Sequence, residues 1–124
     1  MKQTILTDKA PTPIGPYSQA IRCGNLIFVS GQLPLDPKTG ALATGIAEET
    51  RQVFENLKTV LEAAGSSLDR ALKVTVFMKD LGQFAEMNKV YATFFRYNPP
   101  ARSTVQVAAL PRGVSVEIDI VAEA

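Results

Sequence analysis

Histidine is absent from this chain. That absence removes Ser-His-Asp and Cys-His nucleophile systems together with His-dependent zinc sites, so acid-base chemistry must fall to carboxylates, tyrosine or lysine. Cysteine occurs once, as Cys23, which rules out an internal disulfide and gives no sign of an oxidising compartment. Its expected role is a half-buried structural thiol. No charge of either sign dominates: 13 basic and 12 acidic residues leave a net charge of +1. The footprint that nucleic-acid or membrane-surface binding usually needs is missing, which makes nucleic acid an unfavoured partner and points to a small molecule or another protein. No apolar run approaches signal-peptide length or the roughly 20 residues of a membrane span, so a cytoplasmic protein without membrane attachment is expected. The eight glycines are scattered and form no phosphate loop or dinucleotide fingerprint, so nucleotide cofactors are not expected, and no metal or other cofactor is implied.

What is present suffices for one domain over residues 1–124, with 46% apolar residues for a single core. Pro11, Pro13, Gly15 and Pro16 make an ordered loop, since proline cannot donate to a sheet ladder. Ser18 to Arg22 and Leu26 to Ser30 read as strands joined by a tight turn at Cys23-Gly24-Asn25. Asp36-Pro37-Lys38-Thr39-Gly40 is a second turn, bracketed by Leu35 and Leu42. Ile46, Val53, Phe54, Leu57, Val60, Leu61 and Ala64 make a helical stripe, with Glu48 and Glu49 favouring its start and Gly65 its stop. Leu72, Val74, Val76 and Met78 alternate as a strand. Asp80 and Gln83 then form a capping-box-like pair before a helix carrying Phe84, Met87, Tyr91 and Phe95 on one side. The strand between two helices marks an α+β fold, a single mixed sheet of six strands with two helices on one face.

The last quarter carries the chemistry. Val105, Val107 and Ala109 alternate with Arg102, Thr104, Gln106 and Ala108, and Val114, Val116, Ile118 and Ile120 alternate with Ser115, Glu117 and Asp119. With Leu110-Pro111-Arg112-Gly113 between them, an antiparallel hairpin is the economical reading. If that loop is even in length, Arg102 and Glu117 share a sheet face, and with a two-residue loop they stand roughly 14 Å apart, too far to pair. The uncovered face would show Thr75, Phe77, Thr104 and Gln106, too apolar for solvent and too polar for a core, which calls for a subunit interface.

PARSTVQVAALP followed after a short gap by VEI resembles the signature of the RidA (YjgF) family of reactive-imine deaminases. The resemblance extends through Gly15-Pro16-Tyr17-Ser18-Gln19-Ala20, Val29-Ser30-Gly31-Gln32-Leu33-Pro34, Glu55-Asn56-Leu57 and Asn88, in order, over nearly the whole chain. It implies a chorismate-mutase-like βββαβαββ fold, a homotrimer with clefts between subunits, and hydrolysis of 2-iminobutanoate and 2-iminopropanoate to 2-keto acids and ammonia without a cofactor. On this resemblance Arg102 holds the substrate carboxylate, Glu117 handles water and protons, backbone near Gly31 and Thr104 orients the imine, and Tyr17, Ser30 and Asn88 shape the cleft. Thr104 departs from the pattern, because several members carry cysteine there; any thiol redox role is put in doubt.

Each residue also has a plain structural reading. Arg102 could tie down the Asn98-Pro99-Pro100 bend or pair with Glu117 or Asp119, Glu117 could be a solvated strand residue, Asn88 a loop cap, Tyr17 a packed aromatic, and Ser30-Gly31 a strand-end turn. Two other functions stand beside the deaminase: a non-catalytic trimeric binder or sensor of small carboxylates, which would need Arg102 but not Glu117, and an endoribonuclease, for which a chain without histidine and with near-zero net charge offers little.

Overall fold

The most regular alternation in the chain takes the middle of the sheet. In the computed structural model, which describes residues 1–124, the strands are β1 (Lys2–Ile5), β2 (Ala20–Cys23), β3 (Leu26–Gln32), β4 (Ala71–Met78), β5 (Ala101–Gln106) and β6 (Val116–Glu123). Helix α1 (Ile46–Ala63) lies between β3 and β4, and α2 (Phe84–Phe94) between β4 and β5. The strand order is β1-β2-β3-β6-β4-β5, with every pair antiparallel except β4 and β5. This is the six-stranded mixed sheet with two helices that the sequence predicts. Lys2–Ile5, which the alternation did not single out, supplies the sixth strand by pairing with β2.

One sheet face is covered. Val74, Val76 and Met78 of β4 and Val116, Ile118 and Ile120 of β6 are buried against Val53, Phe54, Leu57, Val60 and Leu61 of α1. Phe54 is the hub: its ring stacks on Phe94 at 4.9 Å and meets Tyr91 and Phe95 edge-on at 5.4 and 5.5 Å. Helix α1 ends in a Schellman motif, in which Gly65 adopts φ 81° and donates to Glu62 O while Ser66 N donates to Leu61 O. The turn after β2 is the expected one, Gly24-Asn25 linking the paired Cys23 and Leu26. Cys23 itself is exposed there, not half-buried. The Leu35–Leu42 bracket closes as an isolated bridge. Asp80 caps a short 3-10 turn at Leu81–Gln83, accepting from Gly82 N at 2.8 Å, and α2 follows. Leu72 is exposed because the β4–β6 register shifts between Ala71 and Lys73, putting Ala71 on the covered side instead.

The terminal hairpin does not form. β5 pairs only with β4, in parallel, and β6 inserts between β3 and β4. A helix between β4 and β5 makes the parallel pairing natural, since parallel neighbours need a crossover. The central slot offers β6 two ladders and a buried face for its four inward residues, whereas β5, with polar residues on its covered side, suits an edge. The facing of β5 is also the reverse of the apolar reading. Arg102, Thr104 and Gln106 are in register with Val74, Val76 and Met78 and so share the helix-covered face, while Val105 is 42% exposed on the other. The uncovered face therefore shows Thr75, Phe77, Ser103 and Val105, with Thr104 and Gln106 absent from it.

Truncating the aromatic hub tests this packing. Phe54→Ala is expected to cost about 3–5 kcal/mol, read from the shift in urea midpoint at unchanged slope.

Candidate active site

Two groups of side chains, one on each sheet face, contain all the residues singled out by sequence. On the covered face, at the β5 edge, the Arg102 guanidinium lies over the Tyr91 ring at 4.6 Å and the Phe84 ring at 5.4 Å. Its Nη1 donates to Asn88 Oδ1 at 2.7 Å. Phe84, Asn88 and Tyr91 follow one another at helical spacing on α2, so one helix face supplies both the ring surfaces and the acceptor. The guanidinium is thus held by neutral partners, and the ion pairs of the protein, Arg51–Glu48 and Arg70–Glu123, lie elsewhere. An arginine has five donors; one is spent on Asn88, and the charge is uncompensated. Thr104 Oγ1 and the Tyr91 hydroxyl are buried beside this group without hydrogen-bond partners. Burial holds the Tyr91 hydroxyl above its usual pKa, with the positive charge of Arg102 acting in the opposite direction.

On the uncovered face, Glu117 projects from β6 opposite Phe77. It is half-buried, and burial first, then the negative charge of Asp119 two residues on, pushes its carboxyl above the ordinary carboxylate range. Asp119 is raised by burial too, with the nearby Thr75 hydroxyl and then the charge of Lys73 acting in the opposite direction. Gly31 explains how Glu117 fits. A Cβ built on Gly31 would stand 2.9 Å from the Glu117 carboxyl carbon and closer still to Oε2, so the glycine makes room for a protein carboxylate. Around them is a pocket of about 500 Å³, lined by Tyr17, Ser30, Gly31 and Glu117 with Ile14 and Leu33 among its apolar walls. The Ser30 hydroxyl donates to Ser18 O at 2.6 Å and its N–H to Gln19 O at 2.9 Å, which ties β3 to the segment carrying Tyr17.

Tyr17, Ser30, Gly31 and Glu117 are therefore brought together, as are Arg102, Asn88 and Thr104, but the two sets are not. The expectation that Arg102 and Glu117 share a sheet face is overturned, because β5 faces the opposite way in its parallel pairing. Nor does Arg102 pair with Glu117, Asp119 or the Asn98-Pro99-Pro100 bend. Sequence reasoning treated Phe84 and Tyr91 as core only; their spacing around Asn88 was the available signal. Gln19 and Arg112 also line the pocket; the sequence placed Gln19 in a strand and in the Gly15–Ala20 motif and Arg112 in a turn, without assigning either to the site.

A single sheet with helices on one face, a carboxylate pocket on the other and an arginine cradle at its edge defines a small α+β domain. Residues 7–124 match the family described as endoribonuclease L-PSP. The chain belongs to that family, the same YjgF/RidA family its motifs resemble. It is 54% identical to a RutC family protein of Pyrococcus horikoshii over 98% of both chains. To a 2-iminobutanoate/2-iminopropanoate deaminase of Salmonella typhimurium it is 47% identical, again over 98% of both. Among solved structures it superimposes on Escherichia coli TdcF with bound serine at a TM-score of 0.95, with 42% identity and 98% of each chain covered. No helix is long and apolar enough to cross a membrane.

The raised Glu117 carboxyl has a sign that stability measurements can read. A folded pKa above the unfolded one means that the native state binds the extra proton, so stability falls as pH rises from the unfolded value through the folded one. Glu117→Gln is expected to be more stable than wild type at pH 7 and equal to it at pH 3, checked by thermal denaturation across that range.

Proposed function

We propose that this protein hydrolyses short 2-imino acids to 2-keto acids and ammonia, at sites that two copies of the chain complete together. The observation that carries this reading is the uncompensated Arg102 guanidinium, fixed by Asn88 and two ring faces with donors to spare. A flat, permanently charged fork held this way suits a planar carboxylate, which it meets through two parallel hydrogen bonds. Arg102 would bind the substrate carboxylate. Glu117, with its raised proton affinity, suits a group that must both take and return a proton near neutral pH. As a water oxygen attacks the carbon of the protonated imine (C=NH2+), the Glu117 carboxylate accepts the water's proton, leaving a neutral carbinolamine, C(OH)NH2. Glu117 then gives that proton to the amino group, and as the C–N bond breaks and ammonia leaves, the hydroxyl proton passes back to Glu117 and the carbonyl forms. Gly31 and Thr104 main chain would orient the imine, and Tyr17, Ser30 and Asn88 would shape the cleft. These imines hydrolyse unaided, so a thousandfold acceleration needs only about 4 kcal/mol.

Because Arg102 and Glu117 lie on opposite faces within a protomer, one small molecule cannot touch both unless a second copy brings its edge to the uncovered face. A cyclic trimer, the arrangement the family resemblance implies, does this three times. The deaminase names of relatives at 47% and 46% identity support the chemistry. The family description favours a ribonuclease instead, a reading that a chain with no histidine and a net charge of +1 supports poorly.

Freshly generated 2-iminobutanoate, followed by ammonia release, tests the reading. Glu117→Gln is expected to lower kcat about 10²–10⁴-fold, and Arg102→Lys to lower kcat/KM chiefly through KM. An inert wild type, or full activity in Glu117→Gln, removes the enzyme; keto-acid binding without turnover would leave a binder. Refolding Glu117→Gln with Arg102→Ala at equal amounts is expected to restore about a quarter of wild-type activity, since three-quarters of random trimers are mixed and each has one intact site in three. No restoration would exclude the shared site.

A further inference from the structure

The pocket beside Glu117 is walled by three loops, and each is tied to the fold by one buried polar side chain. Gln19, 1% exposed, accepts from Thr7 N at 2.7 Å and donates to Thr7 O at 3.0 Å and Pro11 O at 2.9 Å. Those bonds span the proline-rich segment that places Ile14 and Tyr17 at the pocket. Asn56, on α1 and 2% exposed, donates to Leu33 O at 3.0 Å and Leu35 O at 2.9 Å and accepts from Gln52 at 3.0 Å. Glu49, two turns nearer the helix start and also buried, accepts from Ser115 N at 2.8 Å, holding the chain between Pro111–Gly113 and Glu117.

A buried amide or carboxylate in an apolar core is costly unless its partners are fixed. Loop backbone is costly to order, and Pro11, Pro13 and Pro16 have no N–H with which to join a ladder. The side chains therefore do for these loops what strand ladders do elsewhere. We infer that Gln19, Asn56 and Glu49 are positioning residues that hold the pocket open in its binding shape before any ligand arrives. The inference deepens the reading above and rests on it for the ligand. Preorganisation acts on affinity: if a loosened loop spends a tenth of its time in the competent arrangement, apparent affinity falls by the same factor.

The test uses near-isosteric variants. Gln19→Glu keeps the acceptor for Thr7 N and loses both donors; Asn56→Asp loses both donors to Leu33 and Leu35. Ser66→Ala, which gives up a 2.6 Å buried-site hydrogen bond to Glu123 O at the far end of β6, is the control for general loss of stability. Expected are a rise of about tenfold in the dissociation constant for 2-oxobutanoate and in KM, kcat within twofold, and faster amide exchange over residues 7–17 in Gln19→Glu and 33–35 in Asn56→Asp. Ser66→Ala is expected to change none of these, and Asn56→Gln, which keeps donors and acceptor, to recover part of the affinity. Unchanged exchange in those segments, wild-type affinity in both variants, or an equal affinity loss in Ser66→Ala would overturn the inference. Exchange is read on the unliganded protein, so a wild type inert towards imines would sink the proposed function while leaving this test intact.

Discussion

The structure depends on the position of β6. Val116, Ile118, Ile120 and Ala122 are all buried at the centre of a sheet covered on one side, and a strand has only two faces. Once those four residues are committed to the core, Glu117 and Asp119 must emerge on the uncovered face. Two carboxylates are then half-buried close together, and burial makes both harder to ionise, Glu117 further so because of the charge on Asp119. Gly31 across the β3–β6 ladder is the local concession that gives Glu117 space. The same insertion forces β5 to the edge, where its covered side meets α2 and not the main core.

That edge placement resolves an awkwardness in the chain. An arginine and a threonine on the covered side of a central strand would be buried charge and unsatisfied hydroxyl with no relief. At the edge, the guanidinium keeps access to the end of the sheet while its flat surface rests on Tyr91 and Phe84. The unpartnered Thr104 and Tyr91 oxygens around it are a departure from the usual pairing of buried polar atoms, and they fall where the proposed ligand carboxylate would sit. Such departures are expected where function competes with stability.

The two halves of the proposed site follow from one geometric fact. A sheet separates its faces, so residues that alternate out of phase on β5 and β6 cannot converge within a protomer. Convergence requires another copy, and the apolar content of the uncovered face, Phe28, Phe77 and Val105 among polar residues, suits contact more than solvent.

Much of this was legible from residues alone. The period-two runs of β4 and β6, the 3.6-residue stripe of α1, the Gly24-Asn25 turn and the glycine stop at Gly65 are local signals, each set by side-chain periodicity or by φ. The absence of histidine left acid-base work to carboxylates, tyrosine or lysine, and the resemblance to the RidA family singled out Glu117 among them. Strand β1 was not legible, being four residues with one apolar end. The partner of β5 was not legible either, because alternation states which residues share a face and says nothing about which face is covered or which strand lies alongside. Only the tertiary structure could turn Arg102 towards α2, give it Asn88 and two rings, and set it on the far side of the sheet from Glu117. Hydrogen-bond ladders between distant segments decide strand order, and that competition for the central slot involves the whole chain, whereas periodicity is written into each segment by itself.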